Sequence, residues 1–343
     1  MVKLTRRNFI GLGVTAAATV ALTGCGGGSA ASSAATSAAA GGAAPMGTGT
    51  PLQFVTGGES GTYYAFGSVI AQHATNNAGV NLNAVAGNGS QANVQELQDG
   101  ISDIAFCQSD VEAYAFEGTN LFAETGAVDC FSTVACLYDE QVQIVTCDEN
   151  IKTVEDLKGK NVSIGAAGSG VYFNAIDILG VYGLSEADIK PTYQSFGDSA
   201  NDLKDGKIDA AFIVAGAPTT AITDLSTSKQ AYLVSLDDAH VDQLLASSPY
   251  YSKATISGGT YAGVDEDVTT VAVGAVILAN DTVSEDDVYA LCFDIFEDPA
   301  ALVENHAKYG EVSIDKGASI TAVPYHPGAA KYFEEKGKSV AVK

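Results

Sequence analysis

Arginine is almost missing from this chain. Its 343 residues hold two, Arg6 and Arg7, both near the N-terminus. Basic residues are few altogether, 17 Lys and Arg against 41 Asp and Glu, for a formal charge of −24. Phosphate backbones are bound through Lys and Arg, so this balance argues against nucleic acid as a partner. Long apolar runs are lacking too. The apolar stretch at residues 10–22 covers thirteen residues, whereas a membrane-spanning helix needs roughly 20. No CxxC occurs, and His73, His240, His306 and His326 are scattered without zinc-like spacing, so no metal site is expected. Neither G-x-G-x-x-G nor G-K-[ST] stands between a strand and a helix, which leaves a nucleotide site unsupported, and no cofactor is expected. What is there is globular material. With 46% hydrophobic and 17% charged residues, the chain has enough apolar content for two domains and is not a disordered polymer.

The N-terminus reads as an address. Arg6-Arg7 heads the short apolar stretch, as in a twin-arginine export signal, with general export as the alternative. The stretch ends at Leu22-Thr23-Gly24-Cys25, which resembles a bacterial lipobox. Residues 1–24 are then the signal peptide and Cys25 carries the lipid; an uncleaved anchor with an incidental cysteine is the plainer alternative. Removing Lys3, Arg6 and Arg7 leaves 14 basic against 41 acidic residues, a charge of −27, and no arginine. Residues 25–50 are dominated by Gly, Ser, Ala and Thr with Pro45, a flexible tether with a reach on the order of 25–30 Å. This order implies a lipid-anchored domain at the outer face of the cytoplasmic membrane, extracellular or periplasmic. Cys107, Cys130, Cys136, Cys147 and Cys292 remain. Their odd number leaves at least one thiol free. Cys107 reads as a small buried hydrophobe, and a Cys130–Cys136 pair is one open option.

From Pro51 onward short β-rich runs alternate with helical stretches. Strands are predicted at 52–56, 80–86, 103–108, 141–147, 161–165, 191–195, 209–214 and 269–279, and helices at 62–77, 90–99, 171–182, 200–205, 285–296 and 328–336. Such alternation means βαβ units and parallel sheet. Two stretches echo each other. Residues 97–106 and 203–212 share L-x-D-G-x-x-D-x-A-F at an offset of 106 residues, and Ser60-Gly61-Thr62-Tyr63-Tyr64 is echoed by Ser169-Gly170-Val171-Tyr172-Phe173 at 109. Gly100 and Gly206 fit left-handed helix ends. Generic turn chemistry can produce such matches separately; two in the same order favour two similar α/β lobes.

Each echo puts a Gly- and Ser-rich loop before a helix: Gly57-Gly58-Glu59-Ser60-Gly61 in the first lobe and Ala166-Ala167-Gly168-Ser169-Gly170 in the second. Helix N-termini expose unpaired N–H groups and attract anions, and glycine lets backbone approach a ligand. Simple capping is the competing explanation for each loop. Gly87-Asn88-Gly89-Ser90 opens the next helix, with Ser90 as a candidate N-cap. Tyr63 and Tyr64 in a first helical turn are candidates for ligand packing or plain core packing. Gln108-Ser109-Asp110 ends a strand, with a plain helix cap as the competing reading of Asp110, and Gly216 and Pro218 end another, Pro218 suiting N1 of the next helix. In open α/β sheets such loops lie where ligands bind.

The run at residues 56–67, T-G-G-E-S-G-T-Y-Y-A-F-G, resembles the opening motif of the TAXI family, the extracytoplasmic solute receptors of TRAP transporters. Residues 87–110, the Gly168-Ser169-Gly170 loop, residues 209–218 and the H-P-G-A run from His326 resemble its later blocks, in order, over residues 51–337. Val171 departs from the Thr frequent in the family. The resemblance implies an α/β, two-lobed, type II periplasmic-binding-protein-like fold with crossing hinge strands. Lobe 1 would comprise residues 51–140 and 278–343, and lobe 2 residues 141–277. It implies a binding protein rather than an enzyme, closing on a small solute and delivering it to an ion-coupled TRAP permease. The rival readings are a binding lipoprotein of an ABC importer or a sensor, and a secreted enzyme. No Ser-His-Asp pattern or G-x-S-x-G elbow supports the last.

Carboxylates are commonly clamped by an arginine fork, which the mature chain lacks. An acidic ligand would be held by Gly58, Gly61, Thr62, Ser90, Ser169, Gly170 and Val171 through backbone or hydroxyl donors. Tyr63 and Tyr64 would pack against it, Asn93 and Gln108 would orient it, and Gly216 and Pro218 would border it. Glu59 and Asp110 would repel a pure dicarboxylate but pair with an α-amino group, which favours a glutamate-like amino acid.

Overall fold

The computed structural model describes residues 44–297 and 299–343. The expected signal peptide, Cys25 and the tether up to residue 43 lie outside the described residues. The first half of the chain forms β1 (Leu52–Val55), α1 (Thr62–Asn77), β2 (Leu82–Val85), α2 (Ser90–Gln98), β3 (Ile104–Gln108), α3 (Ser109–Glu117) and the long β4 (Phe131–Thr146). Then come β5 (Asn161–Ser163), α4 (Val171–Val181), β6 (Lys190–Thr192), α5 (Phe196–Asp205), β7 (Ala210–Ala215), α6 (Thr220–Ser228), β8 (Tyr232–Leu233), α7 (Asp238–Ser247) and β9 (Ser252–Ile256). The second long strand, β10 (Val268–Asn280), leads to α8 (Glu285–Glu297), α9 (Pro299–Val303), α10 (Ile314–Gly317) and α11 (Pro327–Glu335).

The sheet order is β2-β1-β3-β10-β4-β7-β5-β6, with β9 on β10 and β8 on β4. Each end is a parallel block with its first strand in the middle: β1 between β2 and β3, and β5 between β6 and β7. The echoed residues explain why the blocks agree. Gly100 and Gly206 adopt φ +67 and +71, the left-handed turn that ends a helix. Asp103 Oδ2 then accepts from Gln53 N at 2.7 Å and Asp209 Oδ2 from Asn161 N at 2.7 Å, each tying a third strand to the first residues of its block.

β4 and β10 carry the chain between the blocks. β4 pairs antiparallel with β10 over its first part and with β7 from Gln141 to Thr146. β10 pairs with β9 at its start and with β3 from Ala275. The return to the first block therefore begins a few residues before residue 278. Parallel strands need cover on both faces. In the first block α1, α8 and α11 bury Phe66, Ile70, Leu291 and Phe333 against Phe54 and Phe106 on one face. α2 and α3 bury Val94, Leu97 and Val111 against Val55 and Ala105 on the other. The second block is covered by α4 and α7 on one side and by α5 and α6 on the other.

Several expectations change. β4 begins ten residues before the strand predicted at 141–147. Gly47 and Thr48, read as tether, are bound to the body: Gly47 N donates to Ala78 O at 2.7 Å and Thr48 N to Asp287 Oδ1 at 2.7 Å. α5 starts at Phe196 because Ser195 Oγ caps it, accepting from Asp198 N. Cys130 and Cys136 do not pair; all five described cysteines are free thiols. Cys107 is fully buried, as its apolar run suggested.

Candidate functional site

The carboxyl ends of the strands in the two blocks face each other across a small, partly open cavity of about 40 Å³. The first block contributes Thr62 and Tyr63 from the head of α1, Gly89 and Ser90 from the head of α2, and Gln108 from the end of β3. The second contributes Ser169, Gly170 and Val171 at the head of α4, with Val214 and Ala215 at the end of β7. Glu140, on the crossing strand β4, completes the lining. Three helices thus begin at the cavity, and their first-turn amides give that side a positive potential.

The lobes are closed on one another. Ala92 N donates to Gly168 O at 2.9 Å, Ala221 N to Ser60 O at 3.2 Å, and Thr62 Oγ1 to Gly216 O at 2.9 Å. Gln108 Nε2 donates to Asn174 Oδ1 at 2.8 Å, and Asn174 Nδ2 donates to Asp110 Oδ2 at 3.0 Å and Tyr251 OH at 2.9 Å. Glycine permits this approach. A Cβ on Gly170 would lie 1.5 Å from Gln108 Oε1, and one on Gly89 3.1 Å from Ser169 Cα. A space of this size holds little more than a water-sized group. A larger solute requires the lobes to stand further apart than they do here.

The ionisable groups around the cavity are mostly acids, with Lys308 the cation nearest Glu140. Glu140 is 3% exposed, and its Oε1 accepts a hydrogen bond from Tyr63 OH. Burial pushes its carboxyl well above the usual range; the Tyr63 bond and the charge of Lys308 offset this only in part. Burial raises the Tyr63 hydroxyl as well, with Glu140 adding to the effect. Asp110 is fully buried and pushed up to about 7 by loss of solvent, against the bond from Asn174. Glu112 is raised in the same way, and its Oε1 has no partner among the described residues.

Seven of the residues singled out in the sequence meet at the cavity: Thr62, Tyr63, Ser90, Gln108, Ser169, Gly170 and Val171. Gly216 is next to it, with its carbonyl bonded to Thr62. Others lie elsewhere. Gly58 and Glu59 are exposed because the loop turns outward, Gly61 N returning to Gly58 O at 2.9 Å. Gly61 is buried beside the Phe196 ring, and Tyr64 is half-buried away from the lining. Asn93 is a structural staple, its Nδ2 donating to Thr56 O at 2.6 Å and Phe106 O at 2.8 Å. Asp110 is a lobe-to-lobe contact outside the lining. Ser90 is the first residue of α2, not its N-cap; Gly89 holds that position, and Ser90 Oγ accepts from Gln108 N at 3.1 Å. Pro218 is exposed, follows a cis peptide and precedes the cap Thr219, not N1 of α6. Cys25 lies outside the described residues.

Glu140, Asn174, Val214 and Ala215 were missed. The available signal for Glu140 was an acid inside an otherwise buried strand, but recognising it required knowing that β4 starts at Phe131.

Residues 54–337 match the model of the NMT1-like family. Solved structures of similar fold include a protein from Bordetella bronchiseptica RB50, at 15% identity over 85% of this chain and 83% of that one, with a TM-score of 0.50. The alkanesulfonate-binding protein SsuA from Xanthomonas axonopodis pv. citri, bound to MOPS, matches at 14% identity over 83% and 90%, with a TM-score of 0.47. A binding protein component of an ABC phosphonate transporter from Pseudomonas aeruginosa matches at 13% over 77% and 80%, with a TM-score of 0.49. At these identities the likeness is one of fold, the two-lobed α/β architecture of type II periplasmic binding proteins.

Proposed function

The chain belongs to the NMT1-like family, and we propose that it is an extracytoplasmic solute receptor that closes its two lobes over a small molecule and hands it to a membrane transport system. The observation that carries this reading is the small cavity between the lobes where three helix N-termini from both lobes converge. Closure makes contacts that an open form lacks, among them Gln108 to Asn174 and Thr62 to Gly216. A solute touching both lobes therefore favours the closed state. β4 and β10 are the hinge, with lobe boundaries near residues 140 and 278.

The solute is small and carboxylate-bearing, with a glutamate-like amino acid favoured. Its carboxylate is received by amides and hydroxyls of Thr62, Ser90, Ser169, Gly170 and Val171, flanked by Tyr63 and Gln108. Cys25 anchors the chain by lipid at the outer face of the cytoplasmic membrane.

The delivery partner has two readings. The ion-coupled TRAP permease rests on the TAXI-like motifs. An ABC importer is the partner that the fold neighbours favour, since a transport system named among them is of that type. Uptake in vesicles driven by an ion gradient or by ATP separates the two.

The primary test is a thermal-shift screen of the chain lacking its export signal against amino acids and organic acids. A ligand at 100 times its Kd should stabilise the protein by about 2.7 kcal/mol. Turnover of a solute, or no stabilisation across the screen, would refute the receptor reading.

A further inference from the structure

The cavity has two chemically different sides. On one, the heads of α2 and α4 present backbone amides at Ser90 and Gly170, with the hydroxyls of Ser90 and Ser169 beside them. On the other stands Glu140, more than nine-tenths buried; Tyr63 OH bonds its Oε1, and no described residue bonds its Oε2. The charged and titratable groups facing it are Tyr63 on α1, Cys107 on β3, Asp110 on α3, Tyr138 and Asp139 on its own strand, and Lys308 on the 3-10 turn at Ala307–Glu311. Lys308 is the one cation among them, and its Nζ is already held by Glu311. A cavity with amides at one side and an unsatisfied carboxyl oxygen at the other is complementary to a zwitterion, not to a simple anion.

We propose that Glu140 is the residue that decides which solutes this cleft accepts: it takes the ammonium group of an α-amino acid whose carboxylate lies at the heads of α2 and α4. This deepens the solute-receptor reading and rests on it. Burial in the closed cleft disfavours the charged form of the Glu140 carboxyl. An ammonium group placed beside it offsets that cost, so closure over an amine-bearing solute is favoured by the pair. A solute with the same carboxylate but no amine leaves Glu140 unpaired and gains nothing from it, which is how sites built around a substrate N–H reject analogues that lack it.

The test is calorimetric, on the chain lacking its export signal, with paired probes: L-glutamate beside glutarate, L-alanine beside propionate, and L-leucine beside 4-methylpentanoate. In at least one pair the amine-bearing member should bind roughly 100-fold tighter or more. Glu140→Gln should weaken that member by roughly 100-fold and leave the amine-free member nearly unchanged, with the ligand-free melting temperature kept or raised. Equal affinity of the two members of every binding pair would overturn the role of Glu140 and leave the receptor reading standing. Binding of no member of any pair would overturn both. The paired affinities of the unmodified chain decide the matter even if the variant does not fold.

Discussion

Gly170 sits where the second lobe meets the first, and replacing it by alanine separates folding from closure. Its backbone is ordinary helical, φ −67 and ψ −20, so alanine meets no local strain. Loss of unfolded-state freedom alone would stabilise the chain by about 0.4–1 kcal/mol. The added Cβ, however, would lie 1.5 Å from Gln108 Oε1, 2.6 Å from its Cδ and 3.0 Å from Ser90 Oγ. Gln108 has little freedom to yield, being 2% exposed with its amide nitrogen bonded to Asn174 across the lobes at 2.8 Å. Relief comes from breaking that bond or from parting the lobes. Overpacking of this kind costs about 1–3 kcal/mol, and a buried amide that loses its partner costs a similar amount. The closed state alone bears this cost, so ligand affinity should fall about 5- to 150-fold. The melting temperature without ligand should hold or rise. Calorimetric titration measures the first and thermal melting the second. Gly180→Ala is the control: its Cβ meets nothing within 4 Å, so it should stabilise by about 0.8–1 kcal/mol without changing affinity. Wild-type affinity in Gly170→Ala would refute the closed geometry argued for this cleft.

Asp110, Glu112 and Glu140 are all raised by burial, Asp110 to about 7. An acid whose folded pKa exceeds its unfolded value contributes stability that is full below about pH 4 and lost as pH rises through the folded value. The melting temperature should therefore fall from pH 5 to pH 8; Asp110→Asn should raise it at pH 8, leave it nearly unchanged near pH 4, and flatten the profile between. A variant profile parallel to wild type would refute this. Asp103→Ala and Asp209→Ala each remove the acceptor for a strand N–H, and each should cost about 1–3 kcal/mol in urea unfolding. Because they lie in separate blocks, their effects should add within about 0.5 kcal/mol. Phe66→Ala empties a fully buried site packed on Phe106, Tyr138 and Tyr309 and should cost about 3–5 kcal/mol by the same assay.

Legibility in the sequence followed the range of the interactions. The L-x-D-G-x-x-D-x-A-F echo marked equivalent turns because a left-handed glycine ends a helix locally, and an aspartate three residues later accepts from the first strand of its block. α1 came out at its full extent because Thr62 to Asn77 has an apolar face, with Phe66, Ile70 and Ala74 spaced four apart. β4 was seen only from its second half. Asp139, Glu140 and Gln141 interrupt the apolar run, and pairing with β10, more than a hundred residues away, keeps them in a strand, with β7 joining at Gln141. The same distance effect governs the site. Glycine loops were found from composition, but Glu59 was placed at the ligand by nearness in sequence, whereas a tight turn points it outward. Asn174 was out of reach because its partners, Gln108 and Asp110, belong to the other lobe.

The missing arginine takes on a physical meaning in this setting. A guanidinium in a cleft lined by Glu140, with Asp110 just beyond, would pair with those acids and hold the lobes together without a solute. Here the acids face no such partner. Lys308 is taken by Glu311, and Asp110 is met across the lobes by the neutral amide of Asn174. The closed state thus buries carboxyls whose charge is not compensated, and desolvation makes that unfavourable at neutral pH. On the receptor reading proposed above, a donor-bearing solute would supply what the chain withholds. The free energy that makes closure conditional on ligand would then come from the carboxyls themselves, and the backbone amides at the helix ends would orient the solute.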